Sequence, residues 1–148
     1  MRRLLLIASL LAGAGAAAAE AHDAWIALGP PGDAPRAGYL GLRNPDAAPV
    51  TLIAVSSPAF AKVELHRSEQ VDGQMRMRPV PRLEVPARGG IELAPGGLHL
   101  MLYGARVPLA VGERVTLTLA FADGTTLSVD AEVRDARDAG GHHHHWTP

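Results

Sequence analysis

Punctuation is what most restricts the fold of this chain. Sixteen glycines and twelve prolines are spread through 148 residues, and between them lie short runs in which apolar and polar residues alternate. Alternation of period two marks a strand with one buried face; a helix needs apolar residues at i, i+3, i+4 and i+7 over about ten or more positions. Beyond the N-terminus no helical period of useful length survives the breakers. Residues 37–43, 50–55, 62–66, 74–80, 83–85, 91–93, 98–103 and 114–121 read as strands, bounded by turn-forming residues. In 114–121, Val115, Leu117, Leu119 and Phe121 share one face. If Ala122-Asp123-Gly124 is a three-residue loop with Gly124 left-handed, Leu119 pairs with Leu127 and Leu117 with Val129; a two-residue loop would set Leu119 against Ser128. The apolar pairing selects the three-residue loop. Nine or so strands without an internal repeat predict a single all-β domain, an antiparallel sandwich or barrel.

The first residues read differently. Met1-Arg2-Arg3, an apolar run through Leu11 and a small-residue stretch to Ala21 have the layout of a secretory signal peptide, with cleavage after Ala19 or Ala21. The apolar part is too short for a transmembrane anchor. The expected organisation is therefore a signal peptide over 1–21, a β-sandwich domain over 22–135 and a disordered, His-rich tail over 136–148. Cysteine is absent, so the reading has no acylated cysteine and no disulfide framework, and an apolar core must carry stability. Without Arg2 and Arg3, 12 of the 14 basic residues remain against 14 or 15 acidic ones, depending on the cleavage point. That balance leaves no nucleic-acid footprint and no polybasic membrane patch.

The histidines and methionines carry the chemistry. A Pro95-Gly96-Gly97 turn feeds 98–103, where Leu98, Leu100 and Leu102 alternate with His99 and Met101. Residues two apart on a strand point the same way, so an imidazole and a thioether stand together opposite the leucines. Asp72-Gly73 is a two-residue hairpin signal. In that register Ser68 faces Met77 and Leu65 faces Val80, which leaves His66 diagonal to Met77 on one face. Local rules thus give two pairs, His66 with Met77 and His99 with Met101. Whether the pairs adjoin is a tertiary question that these rules leave open. Imidazole and thioether together suit a soft metal ion.

The spacing from His66 through Met77 to His99 and Met101 resembles that of the periplasmic copper chaperones of the PCu(A)C family. Further matches are Gly38-Tyr39-Leu40 with Asn44, Val63-Glu64-Leu65-His66, Met75-Arg76-Met77-Arg78, Pro86-Ala87, and Pro95 through Leu102. The likeness runs from about Trp25 to Val133. It implies a Greek-key β-sandwich of the cupredoxin-like type that binds Cu(I) through His66, Met77, His99 and Met101. It also implies delivery of copper toward the copper A centre of cytochrome c oxidase, alongside a Sco-type thiol protein. Two positions depart from the family pattern: Arg67 stands where a methionine often follows the first histidine, and Ala27 where an arginine usually follows the tryptophan. Met75 is then a spare thioether.

Thioethers and neutral imidazoles leave the ion's single charge uncompensated, so binding weaker than to thiolates is expected, as a carrier requires. Protonation of His66 and His99 would weaken the site in acid. His142, His143, His144 and His145 read as a native tail suited to Cu(II). Arg76 and Arg78 read as a solvated face that could dock an acidic partner. Two alternatives use other features: an exported copper protein with an N-terminal His22 site for oxidative chemistry, and a metal-free interaction module. No hydrolase arrangement stands out, an electron-transfer cupredoxin would need a cysteine, and the expectation is a monomeric periplasmic carrier, not an enzyme.

Overall fold

The computed structural model describes residues 15–29 and 32–137. Ten strands follow in order: β1 (Glu20–Leu28), β2 (Arg36–Arg43), β3 (Val50–Ser56), β4 (Phe60–Val71), β5 (Gln74–Pro79), β6 (Leu83–Val85), β7 (Gly90–Leu93), β8 (Leu98–Ala105), β9 (Arg114–Phe121) and β10 (Thr126–Asp135). Their hydrogen-bonded order is β5-β4-β8-β2-β1-β10-β9-β3-β6, with β7 also on β2. A single pairing of Val55 with Val63 brings β3 back to β4, so the sheet curls on itself into a sandwich that closes like a barrel. Only β1 and β10 run parallel among the paired strands. The described residues contain no helix long and apolar enough to cross a membrane.

Alternation fills the interior as the sequence pattern requires. Leu117 and Leu119 from β9, Leu100 and Leu102 from β8, and Ile26 and Val133 are buried, each contributing roughly 1.5–3 kcal/mol of transfer free energy. The β9–β10 register pairs Leu119 with Leu127 and Leu117 with Val129, and Gly124 has φ of 85°. The three-residue loop expected from sequence is the one that forms. At the other hairpin, Asp72 and Gly73 both have positive φ, 52° and 78°, as a type I′ turn demands. Val71 then pairs with Gln74 and Ser68 with Met77, while the Val80 N–H donates to the Leu65 carbonyl at 2.8 Å.

The structure departs from the sequence reading in two places. First, β4 continues to Val71, well past 62–66, because the tight turn folds β5 back along it. Second, β1 is a central strand between β2 and β10, although 20–28 is not among the runs read as strands. Its register shifts between His22 and Trp25, and Asp23 sits at φ of 51°, so only Ala24 and Ile26 keep the alternation that marks a strand. At the end of β10, Arg134 and Asp135 pair with Ala27 and Leu28. Arg134 points away from the buried Val133 and caps the Trp25 ring at 5.7 Å. Ala19, the first expected cleavage position, is buried, and Ala17 donates to the Thr126 carbonyl at 3.2 Å. Residues 1–14 of the expected signal peptide and the run His142 to His145 lie outside the described residues.

Truncation separates core from surface. Leu117→Ala should cost about 2–5 kcal/mol of unfolding free energy. Ile53→Ala, at a residue 43% exposed, should stay within about 0.5 kcal/mol of the parent. Urea denaturation followed by circular dichroism reads both, and equal losses would contradict the inward assignment of Leu117.

Candidate metal centre

Strands β7 and β8 lie along the same neighbour, β2. Leu93 pairs with Leu40 and Leu100 with Gly38, so residues 94–99 leave the ladder opposite the single residue Tyr39. Pro95 and Gly96 make the excursion tight. The Gly97 N–H donates to the Ala94 carbonyl at 3.1 Å, and Gly96 has φ of 87°, the signature of a type II turn. The excursion hands the start of β8 to β4. Seven β4–β8 pairs run from Phe60 with Ala105 to Arg67 with Leu98. Among them Glu64 faces Met101 and His66 faces His99.

The two histidines are therefore directly opposed, with ring centres 6.1 Å apart and planes inclined at 56°. His99 is 4% exposed and the His66 side chain 12%. Each ring is held through one nitrogen. His66 Nε2 lies 2.9 Å from Glu64 Oε2, and His99 Nδ1 lies 3.0 Å from the Gly97 carbonyl oxygen. The opposite nitrogens, His66 Nδ1 and His99 Nε2, are buried without a hydrogen-bond partner. Leaving a buried polar atom unsatisfied costs about 1–3 kcal/mol, so two in adjacent side chains call for a ligand. An ion about 2.0–2.1 Å from a nitrogen stands roughly 3 Å from the ring centre, and the 6.1 Å separation accommodates one ion between the rings.

The thioethers share this outer face. Met101 is half-buried beside His99 on β8. Met77 sits opposite Ser68, diagonal to His66, and is 57% exposed; Met75, one further step toward the hairpin tip, is 63% exposed. The sheet thus brings the two local pairs of the sequence reading onto one surface, with Met75 at its rim. Among the described residues no three His, Asp or Glu side chains converge. An ion held here by more than two of the His, Met and acidic side chains would draw on sulfur, which favours a soft metal.

Glu64 is the residue whose role the sequence reading missed. Its place on the His66 face was legible from the alternation of Lys62, Glu64 and His66; its partner was not. Glu64 Oε2 meets His66, and Oε1 meets Lys62 Nζ at 3.0 Å. The His66 hydrogen bond, and next the Lys62 one, hold the Glu64 carboxyl below the ordinary carboxylate range. Lys62 in turn lies over the Tyr103 ring at 4.7 Å. His22 is elsewhere, on β1 with β2 between it and β8. Its ring nitrogens lie 3.2 Å from Asp23 and 3.5 Å from Glu92. Arg76 and Arg78 occupy β5, whose six residues are all exposed, and Arg78 contacts Glu69 at 3.4 Å.

Comparison with known proteins agrees with this architecture. Residues 20–133 match the family described as "Putative lipoprotein LpqE-like". A putative lipoprotein of Leifsonia xyli subsp. xyli, Lxx21020, is 29% identical over 117 residues, which cover 78% of this chain and 69% of that protein. The solution structure of apo-DR1885 from Deinococcus radiodurans is 35% identical, covers 91% of both chains and superposes with a TM-score of 0.62. The copper-bound PCuAC domain from PmoF2 covers 82% of this chain and 96% of its own with a TM-score of 0.68, at 22% identity. The chain belongs to the LpqE-like family, and its fold is the cupredoxin-like β-sandwich of the PCuAC domain.

Proposed function

We propose that this protein is a copper carrier that holds Cu(I) through His66, Met77, His99 and Met101. One observation carries the reading: two opposed, buried imidazoles each keep an unpartnered nitrogen on the face that also bears the thioethers. The relative DR1885, 33% identical in its second structure, was solved as a Cu(I) form, which supports the same cargo here. With soft, neutral donors the ion stays reduced and exchangeable, and nothing in the role calls for turnover chemistry, so the protein acts as a chaperone and not an enzyme.

The destination follows from the resemblance: copper is passed in the periplasm toward the copper A centre of cytochrome c oxidase, directly or through a Sco-type thiol protein. Export by the N-terminal segment belongs to the same reading. Cleavage after Ala19 would leave β1 whole, whereas cleavage after Ala21 would remove its first two residues. The tail residues His142, His143, His144 and His145 supply imidazoles for Cu(II), which prefers nitrogen to thioether sulfur more than Cu(I) does.

Removing a ligand should exceed the roughly 10–100-fold affinity loss typical of removing an outer partner. His99→Ala and Met101→Leu are both expected to lose tight Cu(I) binding in competition with a chromophoric chelator, with far-UV circular dichroism unchanged. Parent-like affinity in both variants would falsify the site. X-ray absorption at the copper edge should report both sulfur and nitrogen donors. Deleting the residues after Arg137 should remove a Cu(II) binding event and spare Cu(I); loss of both would refute the assignment of the tail.

A further inference from the structure

We infer that Glu64 is a positioning residue that makes His66 present Nδ1 to the metal, while His99 presents Nε2. This deepens the proposed copper site and rests on it. The argument starts from what each partner can do. A carboxylate and a backbone carbonyl only accept hydrogen bonds. The His66 nitrogen at 2.9 Å from Glu64 Oε2 is Nε2, so Nε2 carries the proton and Nδ1 keeps the lone pair. The His99 nitrogen at 3.0 Å from the Gly97 carbonyl is Nδ1, so there the free lone pair is on Nε2. Those two lone-pair nitrogens are the two that are buried and unpartnered. Their burial adds to the hydrogen-bond assignment that neither lone pair is spent on solvent.

The supports differ in kind. Gly97 offers His99 a neutral carbonyl that also accepts the Ser68 N–H at 3.1 Å, so the backbone sets this ring. Glu64 offers His66 an anion, and Lys62 steadies its other oxygen. An anionic acceptor makes the opposite nitrogen a better donor and orients the ring. It also places one negative charge beside a monovalent cation held by neutral ligands. Glu64 lies opposite Met101 in the ladder, so the carboxylate stands next to both kinds of donor.

Two substitutions separate orientation from charge. Glu64→Gln keeps an amide oxygen able to accept from Nε2–H but removes the charge, and Glu64→Ala removes both. Long-range proton–nitrogen NMR on the full, metal-free chain reads the tautomer of His66 directly. The parent should show one tautomer protonated at Nε2, E64A a mixture, and E64Q the parent tautomer restored. Cu(I) affinity, measured by chelator competition, should fall roughly 10–100-fold in E64A, with the His99 resonances unmoved. A His66 tautomer indifferent to E64A, or one that Gln does not restore, overturns the inference. Should the parent itself bind no Cu(I), the carrier reading fails while the NMR result still decides what Glu64 does.

Discussion

The pairing of β4 with β8 is the contact on which the rest depends. One register, read from Phe60 with Ala105 to Arg67 with Leu98, does two jobs through the alternation of a pleated strand. On its inner face it packs Val63 and Leu65 against Leu102 and Leu100; on its outer face it sets His66 against His99 and Glu64 against Met101. A slip of one residue would turn every side chain over, burying imidazole and carboxylate in the core and exposing leucines. The hydrophobic effect therefore enforces the geometry of the polar face. The two imidazoles do not have to find one another.

The strands of β9 and β10, the hairpin at Asp72-Gly73 and the same-face placement of His66 with Met77 and of His99 with Met101 were legible in the sequence, because each is decided by residues close together in the chain. The proximity of the two histidines was not. It depends on residues 94–99 leaving β2 opposite Tyr39 and on β8 then joining β4, a pairing between segments more than thirty residues apart. β1 escaped notice for a local reason: the left-handed Asp23 breaks the alternation that identifies a strand. The face of Glu64 follows from the alternation of Lys62, Glu64 and His66, yet no periodicity reveals which acceptor an imidazole will find.

Polar support around the histidines is economical in sequence terms. Glu64 is two residues from His66, and Gly97 two from His99, so each ring is oriented from its own strand. Two-residue spacing on a strand keeps the acceptor on the ring's face, and neither interaction relies on the far side of the sandwich.

Exposure rises from His99, through His66 and Met101, to Met77 and Met75 at the hairpin. At the proposed copper site this gradient would order the departure. An arriving donor would meet the exposed sulfur of Met77 first, while both imidazoles still held the ion, so that one bond could form before the next was surrendered.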